Sequence, residues 1–308
     1  MLWSLASLAA GLALLTLGAD YLVRGAISFA NRMGMPPLLI GLTVVGFGTS
    51  MPELLVSLQA ALDGSPAIAV GNVVGSNIAN ILLILGTAAV ISPIAAQIPN
   101  LKRDMMMMLL AAIIMLGLGY WGVVNFWLGL AMFILLAAFL ARVTHTDRHR
   151  MTAEEEELVV KLAGWKEAVF MAGGLAGLFL GANLLIDAAT AIAREFGISE
   201  AVIGLTIVAV GTSLPELATS VVAAFRRHAE IALGNVVGSN IFNILGILGI
   251  TAVVTPVPVE PSMAAFDIPF MLAVSIALIS LILTAGRIGR GAGIAMLAIY
   301  TGYVAWLF

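Results

Sequence analysis

Two glutamates lie deep inside long apolar stretches of the sequence, where a carboxylate needs a partner. Glu53 follows Thr49 by four residues, and Glu216 follows Thr212 by the same spacing. Four residues make about one turn of a helix, so each hydroxyl shares a helix face with a carboxylate. Because an unpaired carboxylate in such surroundings is costly, we expect each glutamate to face a cation, a charged partner or water.

A proline directly precedes each glutamate. Pro52 and Pro215 have no amide hydrogen, and each ring clashes with the carbonyl four residues earlier, at Gly48 and Gly211. The helix is therefore predicted to kink or unwind at this point. Such a break leaves backbone carbonyl oxygens free to bind a cation.

Small polar side chains repeat the same one-turn spacing further along the chain, at Ser76 and Asn80 and at Ser239 and Asn243. Together with the glutamates, threonines and free carbonyls they form an all-oxygen set. Hard cations such as Ca²⁺ and Na⁺ prefer oxygen ligands, whereas zinc and copper favour nitrogen or sulfur. For the glycines in the same motifs, close helix packing is an equally good interpretation.

These residues belong to an internal repeat. An ungapped alignment of 41–86 with 204–249, at an offset of 163 residues, has 29 identities in 46 positions. Chance does not explain this similarity. The repeat contains two motifs, Gly-Thr-Ser-x-Pro-Glu and Gly-Asn-x-x-Gly-Ser-Asn-Ile, each present twice.

The composition identifies the environment of the chain. Of 308 residues, 61% are hydrophobic and 10% charged, with a net charge of −3, and the mean hydropathy is +1.11. Soluble domains carry about 25% charged residues, so a water-soluble globule is excluded. The charge provides no basic surface for nucleic acid. With no cysteine, thiolate metal sites and cysteine catalysis are excluded as well.

The apolar runs are about 20 residues long, which indicates membrane helices rather than the strands of a barrel. The sequence therefore predicts an all-α polytopic membrane protein. Its ten transmembrane helices are expected near 2–23, 36–60, 68–93, 104–121, 123–142, 165–187, 199–225, 231–254, 265–284 and 290–308.

The ten predicted helices fall into two inverted five-helix repeats, because an odd number of spans turns the second half upside down. The predicted domains are a first repeat at 1–142, a linker at 143–164 and a second repeat at 165–308. Of the 14 basic residues, 13 fall on one side of this topology. That side is therefore predicted to be cytoplasmic and to contain the linker, with both termini outside. Inverted repeats with broken helices are typical of alternating-access transporters.

The duplicated motifs resemble the α-repeats of the sodium/calcium exchanger family, within the calcium/cation antiporter superfamily. The similarity covers both halves and is greatest to compact prokaryotic exchangers, because the linker is too short for a calcium-regulatory domain. The resemblance implies Ca²⁺ coordination by Thr49, Glu53, Thr212 and Glu216. It also implies Na⁺ sites that add Ser76, Asn80, Ser239, Asn243 and the carbonyls of Gly46 and Ala209, and Ser50 and Ser213 complete the candidate set.

One position departs from part of that family. Some relatives have an aspartate at one of the two positions matched by Asn80 and Asn243, whereas both are asparagine here. The candidate site therefore has two carboxylates rather than three. The number of driving ions and the sensitivity to protons stay open.

The predicted function is secondary active cation antiport in a prokaryotic plasma (inner) membrane, with Ca²⁺ exported against inward Na⁺. Such a protein is not an enzyme and needs no cofactor. Its partners are the two ions and the lipid bilayer, without nucleic acid or an obligate protein partner. The alternative is a Ca²⁺/H⁺ antiporter with Glu53 and Glu216 as proton carriers, although the Gly-Asn-x-x-Glu signature of that branch is absent. A cation channel, a third possibility, would need a continuous pore.

Other polar or sulfur-containing features are interpreted as structural. Asp20 and Asp187 lie near predicted span ends, where structural or vestibule roles are expected. The run Met105–Met108 is interpreted as soft packing or lipid contact. His145 and His149 in the linker lack a third metal ligand.

Overall fold

The computed structural model describes residues 2–95, 98–146, 162–196 and 209–307. These residues are helical almost throughout, as the composition predicts. The helices are α1 (Leu2–Met33), α2 (Pro37–Ile40), α3 (Gly46–Thr49), α4 (Met51–Leu62), α5 (Pro66–Ala79), α6 (Gly86–Ile91), α7 (Leu101–Trp121), α8 (Phe126–Thr146), α9 (Gly164–Glu195), α10 (Ala209–Thr212), α11 (Leu214–Phe225), α12 (Ala229–Ile241), α13 (Gly249–Val254), α14 (Pro261–Ala265), α15 (Asp267–Ala285) and α16 (Arg290–Leu307).

Among the described residues, wider π-helical turns interrupt three of the long helical runs. They are π1 (Gly41–Val45), π2 (Asn80–Leu85) and π3 (Phe242–Leu248). The first joins α2 to α3, the second joins α5 to α6, and the third joins α12 to α13. No pattern in the sequence predicted these turns. π-Helical turns are rare and occur frequently at functional sites.

Within the described residues, 7 helices are long and apolar enough to cross a membrane, or 8 with the bent pair Pro37–Thr49 and Met51–Leu62. The other seven are Trp3–Met33, Pro66–Ile91, Leu101–Trp121, Phe126–Thr146, Gly164–Glu195, Ala229–Val254 and Pro261–Ala285. The predicted span at 290–308 coincides with α16, a helix of 18 residues. The predicted span at 199–225 begins outside the described residues and ends in α10 and α11.

The two longest helices, α1 and α9, pack against each other through glycines. A Cβ atom on Gly18 would lie 2.8 Å from the carbonyl oxygen of Gly174, and one on Gly11 would lie 2.9 Å from that of Gly181. No side chain fits there, so the two backbones are in direct contact. Because the residue numbers rise along α1 as they fall along α9, the two helices run antiparallel.

Both helices extend beyond the predicted spans, which end at residues 23 and 187. The polar residues near these ends form hydrogen bonds and ion pairs with other segments, so the helices continue past them. The buried carboxylate of Glu167 accepts a hydrogen bond from Ser28 Oγ at 2.9 Å. It also forms an ion pair with Arg32 at 2.6 Å. This cluster joins the C-terminal turns of α1 to the first turn of α9.

A second ion-pair cluster surrounds Asp20. Its carboxylate pairs with Arg24 one turn further along α1, at 2.9 Å. It also pairs with Arg226, in the turn that follows α11. The structural role expected for Asp20 is therefore what the structure shows, whereas Asp187 is exposed on α9.

A second close crossing involves π1 and α12. A Cβ atom on Gly238 would overlap the carbonyl group of Leu42, and one on Gly234 would overlap that of Leu38. The crossing therefore accepts only glycine at these two positions. It brings the N-terminal part of the first repeated motif against the second repeated motif.

Short strands connect loops from the two halves of the chain. β1 (Ile94–Ala95) pairs antiparallel with β4 (Arg287–Ile288). β2 (Val123–Val124) pairs antiparallel with β3 (Val257–Pro258). Each pair joins one loop of the first half to one loop of the second. These strands, of two residues each, were not predicted and leave the fold essentially all-helical.

Candidate cation-binding site

Each Pro-Glu motif lies at a helix break. α3 and α4 are separated at Ser50, whose backbone angles are φ −83° and ψ 6°, and the segments on either side are bent by 41°. α10 and α11 are separated in the same way at Ser213, with φ −89° and ψ 6°. The breaks fall where the missing amides of Pro52 and Pro215 predict them.

The two broken helices exchange hydrogen bonds at these points. Ser50 Oγ donates to Glu216 Oε1 at 3.0 Å, and Ser213 Oγ donates to Glu53 Oε1 at 3.2 Å. Ser213 Oγ also lies 3.5 Å from Ser76 Oγ. Both glutamates are only 1% exposed. The structure thus brings two buried carboxylates from opposite halves of the chain into one cluster.

The other predicted ligands of the first broken helix lie beside this cluster. The Thr49 hydroxyl donates to the carbonyl of Val45 at 3.0 Å and lies 3.3 Å from Asn235 Oδ1. Ser239 Oγ donates to the carbonyl of Gly46 at 3.4 Å. The predicted carbonyl ligand at Gly46 therefore faces a predicted hydroxyl ligand from the other half.

The counterparts of Gly46 and Thr49 in the second half lie at the two ends of α10. Thr212 is buried, with 6% of its surface exposed. Ala209 is the first residue of α10. Among the described contacts, none places the Ala209 carbonyl against the glutamates.

Two asparagines that the sequence analysis did not select hold the backbone of the glutamates. Asn72 Nδ2 donates to the Glu53 carbonyl at 3.1 Å, and Asn235 Nδ2 donates to the Glu216 carbonyl at 3.4 Å. Each amide also reaches a serine one turn beyond the glutamate. The available signal was their place in the Gly-Asn-x-x-Gly-Ser-Asn-Ile motif, which is identical in the two halves.

Four buried oxygen atoms of the predicted ligands accept no hydrogen bond from the described residues. They are Glu53 Oε2, Glu216 Oε2, Asn80 Oδ1 and Asn243 Oδ1. Buried polar atoms are normally paired, so four unpartnered acceptors indicate a missing partner. All four accept and none donates, which favours a cation over an anion or a neutral solute.

The donor set decides which class of cation fits. The cluster contains carboxylate, amide, hydroxyl and carbonyl oxygens, and the described residues include no group of three or more His, Cys, Asp or Glu side chains that could hold a metal. Hard cations such as Ca²⁺ and Na⁺ match an oxygen set of this kind, whereas transition metals prefer nitrogen or sulfur.

Comparison with known proteins places the chain in a family. The profile of the family described as "Sodium/calcium exchanger protein" matches residues 3–144 and again residues 166–308. The sodium/calcium exchanger MaX1 of Methanosarcina acetivorans is 33% identical over 97% of this chain and 96% of its own length. The inner membrane protein YrbG of Escherichia coli is 38% identical over 100% of this chain and 96% of its own.

Solved structures agree with this assignment. The sodium-calcium exchanger NCX_Mj, soaked with 2.5 mM Na⁺ and 0.1 mM Ca²⁺, superposes with a TM-score of 0.88 at 34% identity. The match covers 100% of this chain and 99% of NCX_Mj. The family profile, the full-length relative MaX1 and the solved structure of NCX_Mj all give the same assignment. The chain is an integral membrane protein that belongs to the sodium/calcium exchanger family.

Proposed function

We propose that this protein exchanges Na⁺ for Ca²⁺ across a membrane by alternating access and exports Ca²⁺. The observation that carries this proposal is the set of four unpartnered, buried oxygen acceptors at the meeting point of the two broken helices. The relatives named as sodium/calcium exchangers support the choice of the two ions.

The proposed binding site combines ligands from both halves. Ca²⁺ is held by the two glutamates and the two threonines that precede them by one turn. Na⁺ binding adds hydroxyls, amides and backbone carbonyls. The full set is Gly46, Thr49, Ser50, Glu53, Ser76, Asn80, Ala209, Thr212, Ser213, Glu216, Ser239 and Asn243.

Charge explains why the two ions exchange rather than bind together. One Ca²⁺ is balanced by the two carboxylates, Glu53 and Glu216, whereas Ca²⁺ and Na⁺ bound at once would leave excess positive charge in a low-dielectric site. Na⁺ therefore displaces Ca²⁺ by competing for the same carboxylates. The ions are the transported substrates, and the mechanism uses no cofactor and no bond chemistry.

We also propose that residues 1–142 and 165–308 are two inverted repeats of five membrane helices, joined by a cytoplasmic linker at 143–164. Several contacts support this arrangement: α1 runs antiparallel to its counterpart α9, and the Ser–Glu hydrogen bonds are reciprocal. The strand pairs are reciprocal as well. The family profile matches each half separately.

The proposed orientation has both termini outside, in a plasma (inner) membrane. The ion pairs support it, because Asp20–Arg226 and Glu167–Arg32 join segments that this topology assigns to the cytoplasmic side. The excess of basic residues on that side is typical of cytoplasmic loops. The relative from Escherichia coli is named an inner membrane protein.

Cysteine labelling tests the inversion. Ser65 and His228 occupy equivalent turns in the two halves, and each donates a backbone hydrogen bond to the residue five positions earlier. In single-cysteine variants of this cysteine-free chain, we expect a membrane-impermeant thiol reagent to label position 65 from outside only. Position 228 should be labelled from inside only. Labelling of both from the same side would refute the inverted arrangement. Gly64 is less suitable than Ser65, because its φ of +79° would strain a cysteine.

Ion binding to the purified protein tests the site. We expect Ca²⁺ to raise the melting temperature in detergent, because a ligand that binds only the folded state stabilises it. Adding Na⁺ should displace Ca²⁺ and shift the Ca²⁺ titration to higher concentrations, whereas the same concentration of K⁺ should not. A Ca²⁺ titration that shifts with pH but is indifferent to Na⁺ would favour the Ca²⁺/H⁺ alternative.

A further inference from the structure

Four buried asparagines form a reciprocal network between the two repeated motifs. Asn80 Nδ2 donates to Asn240 Oδ1 at 3.0 Å. Asn243 Nδ2 donates to Asn77 Oδ1 at 3.1 Å. All four side chains are at most 1% exposed. Asn80 and Asn243 are proposed ion ligands, whereas Asn77 and Asn240 are not ligands in that set.

The orientation of Asn77 and Asn240 is fixed by backbone carbonyls. Asn240 Nδ2 donates to the carbonyl of Asn77 at 3.4 Å, and Asn77 Nδ2 donates to the carbonyl of Asn240 at 3.4 Å. A carbonyl oxygen can only accept, so each of these amides must present its NH₂ group there. Their Oδ1 atoms are therefore directed at the other two asparagines.

A methionine reinforces each orientation. Asn240 Nδ2 lies 3.7 Å from Met108 Sδ, and Asn77 Nδ2 lies 3.6 Å from Met271 Sδ. A thioether sulfur is a weak acceptor and has no hydrogen to donate. Each Nδ2 atom therefore lies next to two acceptors, a carbonyl oxygen and a thioether sulfur, and both favour an N–H donor at that position. The run Met105–Met108, interpreted from sequence as soft packing or lipid contact, contributes one of these two contacts.

The orientation of Asn77 and Asn240 also determines the orientation of the proposed ion ligands. Because Asn240 Oδ1 and Asn77 Oδ1 are acceptors, Asn80 and Asn243 must direct their NH₂ groups toward them. Their own Oδ1 atoms then point away and accept no hydrogen bond from the described residues. If either amide rotated by half a turn, two oxygens would repel each other and two N–H groups would face the cation.

We propose that Asn77 and Asn240 are positioning residues that set the amide orientation of Asn243 and Asn80, so that each presents an oxygen to the transported Na⁺. This inference rests on the proposed Na⁺/Ca²⁺ exchange. It pairs Asn240 with Asn80 and Asn77 with Asn243, so each positioning residue orients one specific ion ligand.

Replacing a positioning residue tests the assignment. Asn240→Leu should raise the half-activating Na⁺ concentration of ⁴⁵Ca²⁺ uptake into Na⁺-loaded proteoliposomes about tenfold. The maximal rate should change much less, because the carboxylates are untouched. Asn240→Ala removes the same amide with less bulk and carries the same expectation if the leucine variant does not fold.

Aspartate in place of the oriented ligand, Asn80 or Asn243, provides the decisive control, because a carboxylate presents an oxygen whichever way it rotates. In the Asn80→Asp background, Asn240→Leu should change the half-activating Na⁺ concentration less than about twofold, whereas Asn77→Leu should keep its full effect. In the Asn243→Asp background the outcome should be reversed.

If Asn77 and Asn240 had only a structural role, an aspartate at Asn80 or Asn243 would not selectively restore the Na⁺ dependence of the variant at its own hydrogen-bond partner. Equal rescue by both aspartate backgrounds, or none by either, would overturn the inference. Wild-type protein that does not couple Ca²⁺ uptake to Na⁺ would instead refute the proposed function, so the two failures are distinguishable.

Discussion

Glutamine in place of Glu53 or Glu216 is expected to abolish Ca²⁺ transport at low micromolar Ca²⁺. Each change removes one of two carboxylates from a buried site while keeping its volume. Removing one partner of a buried charge cluster costs about 3–5 kcal/mol, which corresponds to a loss of affinity of roughly a hundredfold or more. The measurement is the Ca²⁺ concentration for half-maximal Na⁺-driven ⁴⁵Ca²⁺ uptake by each purified variant.

Glu167→Gln is the matched control for this prediction. Glu167 is also a glutamate at 1% exposure, but its carboxylate pairs with Ser28 and Arg32 instead of retaining an unpartnered oxygen. We expect this variant to lose thermal stability and to keep the wild-type dependence on Ca²⁺. Near-normal Ca²⁺ dependence in folded Glu53→Gln or Glu216→Gln protein would contradict the assignment of the site.

Gly238→Ala is expected to destabilise the fold, because the added methyl group would meet the backbone carbonyl of Leu42. A backbone cannot move aside as the end of a flexible side chain can, and overpacking typically costs about 1–3 kcal/mol. We therefore expect the melting temperature in detergent to fall by roughly 5 °C.

Gly75→Ala is the matched comparison, because Gly75 occupies the equivalent position of the first motif. No described atom lies within 4 Å of a Cβ built there. Its melting temperature should stay close to that of the wild type. Equal destabilisation by the two variants would contradict the assigned role of the crossing with π1, because alanine is a better helix former than glycine at both positions.

The sequence could predict the helix break at the candidate site and the pairing of its two motifs, because the causes of both are local or repeated in the chain. The proline directly before Glu53 predicts a helix break, and the structure has one at Ser50. The shared face expected from the one-turn spacing of Thr49 and Glu53 stays a prediction. The duplicated motif at an offset of 163 residues also indicated that Glu216 belongs to the same site. These features follow from covalent geometry and repetition, which sequence displays directly.

Other features depend on contacts that sequence does not display. α1 continues to Met33 because its polar residues find partners in distant segments, as Arg32 does at Glu167. Asn77 and Asn240 were overlooked because their role depends on which way a neighbouring amide points. The linker predicted at 143–164 falls largely on residues 147–161, which lie outside the described residues.

The most direct test of Na⁺/Ca²⁺ exchange is ⁴⁵Ca²⁺ uptake into proteoliposomes containing the purified protein. Three internal conditions are compared: Na⁺, K⁺, and K⁺ with an imposed pH gradient. We predict rapid uptake only into Na⁺-loaded vesicles, because outward Na⁺ movement supplies the driving force. Uptake driven by the pH gradient and indifferent to Na⁺, or equal uptake under all three conditions, would contradict the proposed exchange.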